Sequence, residues 1–272
     1  MGEGRHSLLK GCAATCGVLM LIVVGGLALI GVRTCVPLVG ADRDLARLEE
    51  RFGPADAYTP ADDGAIPGER LQRFLAVRRA LDATCDEFSA MLGQMERVET
   101  IGENDTPSGR EVAGTTRGFA EVAAGIAPAV GRFFERRNRA LLEAGLGLGE
   151  YSYVYAMAYR DQLLDPAFKH DLFSGGRTLP ATAQHTLAAV LENQLHAARA
   201  QRAPADWVER LEREVDGLRN TGAHLPWSTG LPPPLAASLE TSGDALDRGF
   251  CRATAGIELD RGARRALALA LY

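Results

Sequence analysis

Lysine is nearly absent from this chain: 28 of its 30 basic residues are arginine, and only Lys10 and Lys169 are lysine. Aromatic residues make up 6% of the sequence, and the formal net charge is −5. A protein that binds nucleic acid shows a basic patch or stripe, so this balance argues against a nucleic-acid partner. Because Ala and Leu dominate, the composition favours packed helices over sheets. The arginine bias, together with abundant Ala and Gly, indicates a GC-rich and therefore bacterial gene.

The chain also lacks the motifs that commit a protein to a reaction. It has no Gly-x-Ser-x-Gly elbow, no His-Glu-x-x-His pair and no Walker loop. Gly145, Gly147 and Gly149 do not complete a Gly-x-Gly-x-x-Gly signature, because Glu150 occupies the position of the third required glycine. They also follow a predicted helix, whereas the signature follows a strand. We interpret these glycines as a helix break that lets another backbone come close. No cofactor is predicted.

Metal-binding patterns are weak. His185, Glu192 and His196 share one stripe of a predicted helix, but the apolar residues of that helix occupy the opposite side. The stripe is therefore interpreted as a solvated face rather than a metal site. The cysteines show no paired spacing of the kind that zinc sites use, and no metal site is predicted.

The longest apolar run is 11–32, which is 22 residues without a charged side chain. As a helix it is about 33 Å long, enough to cross a hydrocarbon core of about 30 Å. The apolar core is longer than that of a typical signal peptide, which favours an uncleaved anchor. Cleavage after Ala41 is the alternative, since Val39-Gly40-Ala41 loosely matches a cleavage site. The sequence thus predicts a single-pass membrane protein with a short basic tail, 1–10.

The orientation of this segment depends on flanking charge. Arg5 and Lys10 precede it, whereas Arg33 and three further arginines follow it among several acids. A short basic tail before an apolar run is typical of a signal-anchor, and long domains translocate with little regard to charge. We expect the tail inside and the domain outside, at a bacterial inner membrane with the domain in the periplasm. The lipid bilayer is the predicted partner of 11–32, and small residues such as Gly25 and Gly26 would permit self-association there.

The remainder is predicted to be all-α. Residues 33–67 are read as a juxtamembrane helix (Asp42–Phe52) and a linker rich in Pro and Gly (Ala55–Pro67), which sets the domain off from the membrane or packs along its surface. Residues 68–272 are predicted to form a soluble, bundle-like domain, and the bundle is expected to contain about six to eight helices.

A long helix is predicted from Gly68 because apolar residues recur every 3.5 positions. This apolar seam consists of Phe74, Val77, Leu81, Cys85, Phe88, Leu92 and Met95. The other predicted helices are Arg110–Ala144, Glu150–Leu164, Pro180–Gln201, Asp206–Arg219, Leu235–Ile257 with an interruption near Gly243, and Arg261–Leu271.

Cys85 and Cys251 are the two cysteines of the predicted soluble domain. In an oxidising compartment they could form a disulfide that closes a long loop. The alternative is two separate buried thiols, because free cysteine packs as a small apolar residue.

The helix Glu150–Leu164 contains four of the six tyrosines and is apolar on nearly every side, so it is expected to be central and buried. Its two acids need partners, for which arginines of the preceding helix are the natural choice. One interpretation is a ligand pocket lined by Arg136, Arg139, Glu150, Tyr151, Tyr155, Tyr159 and Asp161. The other, which we favour, is that the tyrosines pack the core while Glu150 and Asp161 close buried ion pairs with Arg136, Arg137 or Arg139.

The sequence therefore predicts a membrane-anchored helical interaction or scaffold module that is not catalytic. The alternative function is small-molecule binding or sensing in a pocket around helix 150–164, and an enzyme without a recognisable motif comes third. Exposed apolar area on the seam would favour a protein partner. A concave site around Glu150 would favour a ligand.

Overall fold

A computed structural model describes residues 39–103, 109–165, 179–220 and 225–262, with the side chains of 95–124 outside the description. Within these ranges the regular secondary structure is helical and contains no strand. This confirms the predicted all-α class.

No helix of the described ranges is both long and apolar enough to cross a membrane. The tail 1–10 and the predicted span 11–32 lie outside those ranges, as does nearly all of the helix predicted at Arg261–Leu271.

The helices are labelled here in chain order, and a short 3-10 turn, Ala55–Ala57, lies between the first two. They are α1 (39–52), α2 (Gly68–Ala80), α3 (Asp82–Glu103), α4 (Gly109–Ala144), α5 (Leu148–Ala158), α6 (Arg160–Leu164), α7 (Ala181–Ala200), α8 (Ala205–Asn220), α9 (Pro233–Glu240), α10 (Gly243–Gly249) and α11 (Ala255–Glu258).

Three predicted helices are interrupted, so the described part of the chain has more and shorter helices than expected. The helix predicted from Gly68 divides at Leu81, whose amide donates to the Arg78 carbonyl (3.0 Å) and so tightens the last turn of α2. The helix predicted at 150–164 divides at Tyr159. The helix predicted at 235–257 breaks before Gly243, as expected, and divides again after Gly249, which gives α9, α10 and α11.

The apolar seam belongs to the core. Phe74, Val77, Leu81 and Phe88 are at most 3% exposed, while Cys85 and Leu92 are partly buried against the same cluster. Both α2 and α3 pack against α4. The described part of the seam therefore does not provide the exposed apolar surface that would favour a protein partner.

Helix α5 is the centre of the domain, as the sequence predicted. Every residue from Leu148 to Met157 is buried. The helix packs against α2, α4, α7 and the 3-10 turn, so each of its faces meets another part of the chain. This explains why it has no polar side in the sequence.

The glycines between α4 and α5 permit a sharp turn and a close backbone approach. Gly145 has φ +69° and ends α4 in a Schellman motif, in which the Leu146 amide donates to the Leu141 carbonyl (3.0 Å). A Cβ atom at Gly149 would lie only 1.9 Å from the Ala55 carbonyl oxygen. The interpretation of these glycines as a helix break for close approach is confirmed.

Residues 55–67, predicted as a linker, form a strap across the domain. Backbone carbonyls of this strap accept hydrogen bonds from side chains of α7 and α8: Asn193 donates to Asp56 (2.8 Å), and Gln194 donates to Ala61 (2.6 Å). The Trp207 indole donates to the Asp62 carbonyl (2.6 Å). Of the two alternatives given for this segment, the spacer is wrong and packing along the surface of the domain agrees with the structure. Turn residues and prolines stop helix formation here, and side chains elsewhere satisfy the backbone.

Helix α1 also belongs to the packed domain. Ala41 and Leu48 are 2% and 1% exposed, and the Asn138 amide donates to the Ala41 carbonyl (3.0 Å). The helix runs alongside α4, with Gly40 next to Glu135 and Phe52 next to Gly147. The folded body therefore includes residue 39, well before the predicted start at 68.

A disulfide joins Cys85, near the start of α3, to Cys251, with 5.8 Å between their Cα atoms. It fastens residues 250–262, here called the C-terminal segment, to the helical bundle. Of the two alternatives from the sequence, the structure has the disulfide.

Candidate functional site

The seven residues predicted as a ligand pocket do not converge on one site. Arg136 donates to the Thr84 hydroxyl (2.9 Å), and Arg139 forms an ion pair with Glu135 (2.8 Å) on the surface. In these interactions neither arginine contacts an acid of the tyrosine helix, the name used here for residues 150–164, which form α5 and α6. Asp161 is 78% exposed at its side chain and pairs with its neighbour Arg160 (2.6 Å).

Glu150 is buried, but its partner comes from α2. Both Glu150 oxygens accept hydrogen bonds from the Arg70 guanidinium, and the Nε to Oε1 distance is 2.5 Å. Arg70 also donates to the Gly145 carbonyl (3.2 Å), so this pair braces the turn before α5. The prediction that Glu150 needs a cationic partner is correct, but the partner lies on α2 and not on the preceding helix, α4.

The three tyrosines of one helical face surround an arginine that the sequence analysis missed. Arg78 of α2 is 2% exposed at its side chain, and its Cζ atom lies 5.2 Å from the Tyr155 ring centre and 5.7 Å from that of Tyr159. Its Nη1 donates to the Tyr151 hydroxyl (2.8 Å). A signal did exist, because Arg78 lies on the apolar stripe, four residues after Phe74 and three before Leu81.

Glu258 completes this buried network. Its Oε1 lies 2.5 Å from Arg78 Nη1, and its Oε2 accepts a hydrogen bond from the Tyr151 hydroxyl (2.7 Å). The Thr254 hydroxyl donates to Oε1 as well (3.0 Å). Arg78 Nε donates to the Gly249 carbonyl (2.9 Å), so most of the polar atoms around the ion pair are satisfied.

The electrostatics of the network favour fixed protonation states near neutral pH. Burial raises the pKa of Tyr151 and Tyr155, and it raises that of Tyr159 to about 12. Burial alone would lower the pKa of Arg78, but the charge of Glu258 outweighs it and the pKa is raised well above its ordinary value. Protonated tyrosines and a permanently charged arginine suit a structural ion pair better than acid–base chemistry at pH 7.

A second buried arginine holds the end of the C-terminal segment. Arg137 Nη1 donates to the carbonyls of Glu258 and Asp260, at 2.7 Å each, where α11 ends. Its guanidinium lies 4.6 Å from the ring centre of Phe134. Burial lowers the pKa of Arg137 and raises that of Asp260. Arg137 is the buried one of the three arginines predicted as partners of the tyrosine helix, and it binds backbone carbonyls instead of an acid of that helix.

Among the described residues, two open cavities lie outside this network. One, of about 210 Å³, is at the C-terminal end of the tyrosine helix and is lined by Met157, Asp161 and residues of α9 and α10. The other, of about 350 Å³, lies between α7 and the end of α8 and includes His185 and Glu192.

The stripe considered for a metal is a partly exposed face of α7. His185 and His196 are exposed, and Glu192 is paired with Arg219 (2.5 Å). Among the described residues, no group of three or more His, Cys, Asp or Glu side chains is placed to hold a metal ion.

Comparisons of the chain with protein-family models, with curated proteins and with solved structures give no match.

Proposed function

We propose that this chain is a membrane-anchored helical module that holds a protein partner at the extracytoplasmic face of a membrane. In this proposal 11–32 is the anchor, and the domain from residue 39 onward is a rigid platform without catalytic activity of its own. The tyrosine helix supports the platform from within.

The observation that carries this proposal is the packing of α1 into the domain. Six residues, 33–38, separate the proposed anchor from α1, and they span at most about 20 Å. Because Ala41 and Leu48 are buried and Asn138 binds the α1 backbone, the domain cannot swing freely on a long tether. A short connection to a packed helix suits a protein that positions a partner at a fixed height above the bilayer.

The disulfide supports the extracytoplasmic side of the proposal. Disulfides persist in oxidising compartments and are rare in the cytosol of most organisms. The Cys85–Cys251 bond is therefore the expected state if the domain is exported.

The orientation is tested with a membrane-impermeant maleimide on a chain that carries Glu209→Cys and has Cys12, Cys16 and Cys35 replaced by Ser. Glu209 is 68% exposed at its side chain, so a thiol there should react whenever the reagent reaches it. We expect labelling in intact cells. The matched control lacks the Glu209 substitution and should remain unlabelled. Labelling of the introduced thiol only after lysis would contradict the proposal.

The partner is tested by photo-crosslinking in the native membrane, with p-benzoyl-phenylalanine placed at Glu209 or Arg213 of α8. Both side chains are well exposed in the structure. We expect a discrete product from the full chain, and much less of it from a chain whose segment 11–32 is replaced by a cleavable signal peptide. Equal products from both chains, or none at either position, would overturn the platform role. A product of twice the chain mass would identify self-association.

A second candidate function, small-molecule binding, is supported by the cavity at the end of the tyrosine helix. Met157, Leu239 and Leu246 give it an apolar lining, while Asp161, Glu240 and Asp247 supply carboxylates, of which Asp161 is paired with the lining residue Arg160. An apolar lining with more carboxylates than cations suits a small organic amine.

Phenethylamine is a suitable probe of this second candidate, with the Met157 methyl signal as the NMR readout. A saturable shift that is lost in Asp247→Asn would support it. No shift at millimolar amine, or an equal shift in Asp247→Asn, would dismiss it.

A further inference from the structure

The groove between α7 and α8 exists because α8 ends before α7 does. The two helices are antiparallel, with Arg199 paired to Glu212 and Glu192 paired to Arg219. Helix α8 stops at Asn220, one residue after this second pair, whereas α7 continues for a further eleven residues toward its beginning at Ala181. The cavity lies along this part of α7.

Apolar atoms make up most of the accessible surface of the groove. The apolar lining residues are Ala181, Ala188, Ala189 and Leu218, and the polar ones are Gln184, His185, Glu192 and Arg219. Of the polar residues at the rim, Gln184 donates to the Leu218 carbonyl, and Glu192 and Arg219 neutralise each other. A groove with apolar walls and paired charges suits an apolar peptide segment better than a charged small molecule.

The last described residues, 260–262, lie next to this groove. The Thr182 hydroxyl donates to Asp260 Oδ1 (3.3 Å), and Arg261 Nε donates to the Thr186 hydroxyl (3.1 Å). At 100° per residue, these two threonines lie about 90–130° around α7 from the centre of the groove, which is roughly 10 Å along the helix surface. Gly262, the last described residue, directly follows Arg261 and therefore lies beside the face of α7 that neighbours the cavity.

The ten residues that follow, Ala263–Tyr272, have the length and composition that the groove accepts. They read Ala-Arg-Arg-Ala-Leu-Ala-Leu-Ala-Leu-Tyr, with leucines at 267, 269 and 271. Ten helical residues extend about 15 Å, and the stretch of α7 from Ala181 to Glu192 extends about 16 Å. We propose that residues 263–272 of this chain dock in the groove and cover the first half of α7.

Photo-crosslinking within the full chain tests this docking. With p-benzoyl-phenylalanine at Ala189, irradiation followed by tryptic digestion should join the α7 peptide to Ala266–Tyr272 of the same chain. The matched control places the probe at Glu209, outside the groove lining, and should not yield that peptide. Attachment to any other segment or to a second copy, or no attachment, would overturn the proposal.

Histidine reactivity gives an independent readout on a chain that ends at Gly262. His185 lines the groove, whereas His196 is exposed on the same helix outside it. Removal of 263–272 should raise the rate of His185 modification by diethyl pyrocarbonate several-fold and leave that of His196 unchanged. Equal His185 rates in the two chains would contradict docking, and the His196 rate together with the helical circular-dichroism signal verifies that the shortened chain is folded.

Discussion

At the scale of single residues, the Arg78–Glu258 pair is the most consequential feature because both side chains are almost fully withdrawn from water. Removing one member of a buried ion pair leaves an uncompensated charge and costs about 3–5 kcal/mol, whereas replacing both with apolar residues is often neutral. We therefore predict that Arg78→Met lowers the unfolding free energy by about that amount.

The double variant Arg78→Met with Glu258→Leu should recover at least half of the loss, since no charge then remains buried. Urea denaturation of the single and double variants gives the comparison. A double variant less stable than Arg78→Met would show that the pair contributes more than the cost of its own burial.

The buried tyrosines predict a steep loss of stability in alkali. Burial raises the pKa of Tyr58, Tyr151, Tyr153 and Tyr155, and it raises that of Tyr159 to about 12. Their stabilising effect is complete below pH 10, where unfolded tyrosine is protonated, and declines as the pH rises toward the folded values. Above pH 10, each buried tyrosine lowers the free energy of unfolding by about 1.4 kcal/mol per pH unit, so five lower it by about 7 kcal/mol per pH unit. This loss can exhaust an ordinary stability before pH 12.

Tyrosinate absorbance and circular dichroism check this expectation in one titration. The absorbance should rise together with the loss of helix, and the transition should be cooperative. Tyr155→Phe is the matched variant, because the Tyr155 hydroxyl has no hydrogen-bond partner in the described part of the chain. It should unfold with a shallower dependence on pH. Tyrosinate formation in a still-helical protein would show that the cluster is open to water.

The chemistry of the candidate site was only partly predictable at this scale. The spacing of Tyr151, Tyr155 and Tyr159 predicts a shared face, and all three are buried beside Arg78. Glu258 gives no such signal, because its position opposite Arg78 depends on a contact between residues 180 positions apart. Pairings of that kind are decided by the fold as a whole.

At the scale of secondary-structure elements, the crossing of α5 and the strap is fixed by Gly149. A methyl group there would overlap the Ala55 carbonyl oxygen at 1.9 Å, and Tyr58 Cβ would lie 2.9 Å away. We predict that Gly149→Ala costs at least about 3 kcal/mol, at the upper end for overpacking, although alanine is the better helix former.

Gly243→Ala is the control for this prediction, since no heavy atom lies within 4 Å of a Cβ atom at that position. Its effect should stay within about 0.5 kcal/mol. Thermal unfolding of both variants gives the comparison. Equal melting temperatures would mean that the strap yields without cost.

Helix periodicity predicts which segments are helical better than it predicts where they are interrupted. The seam from Phe74 to Phe88 continues in register across Leu81, so the sequence offers no apolar discontinuity between α2 and α3. Likewise, residues 55–67 read as a linker because local turn residues dominate them. Their packing depends on Asn193, Gln194 and Trp207, which lie far away in the chain.

At the scale of the whole molecule, the disulfide closes a loop between residues separated by 166 positions. In the loop-entropy description, a cross-link of this size stabilises the folded state by up to about 5 kcal/mol. We predict that Cys85→Ala with Cys251→Ala lowers the denaturation midpoint accordingly. Dithiothreitol should have the same effect on the parent chain and none on the double variant. An unchanged midpoint in both chains would show that the C-terminal segment is held by its arginines alone.

The last described residues lie beside α1, the first described helix, and this has a mechanical consequence. Gly262 is the last residue of the C-terminal segment and lies next to Leu45 of α1, and Arg261 pairs with Asp56 just beyond that helix (3.1 Å). A pulling force between the membrane end of α1 and residue 262 would therefore act across neighbouring elements rather than stretch the bundle from end to end. Tension transmitted along the chain in this direction should load the contacts of α1 and, through Asp260 and Arg261, the beginning of α7 before it reaches α8.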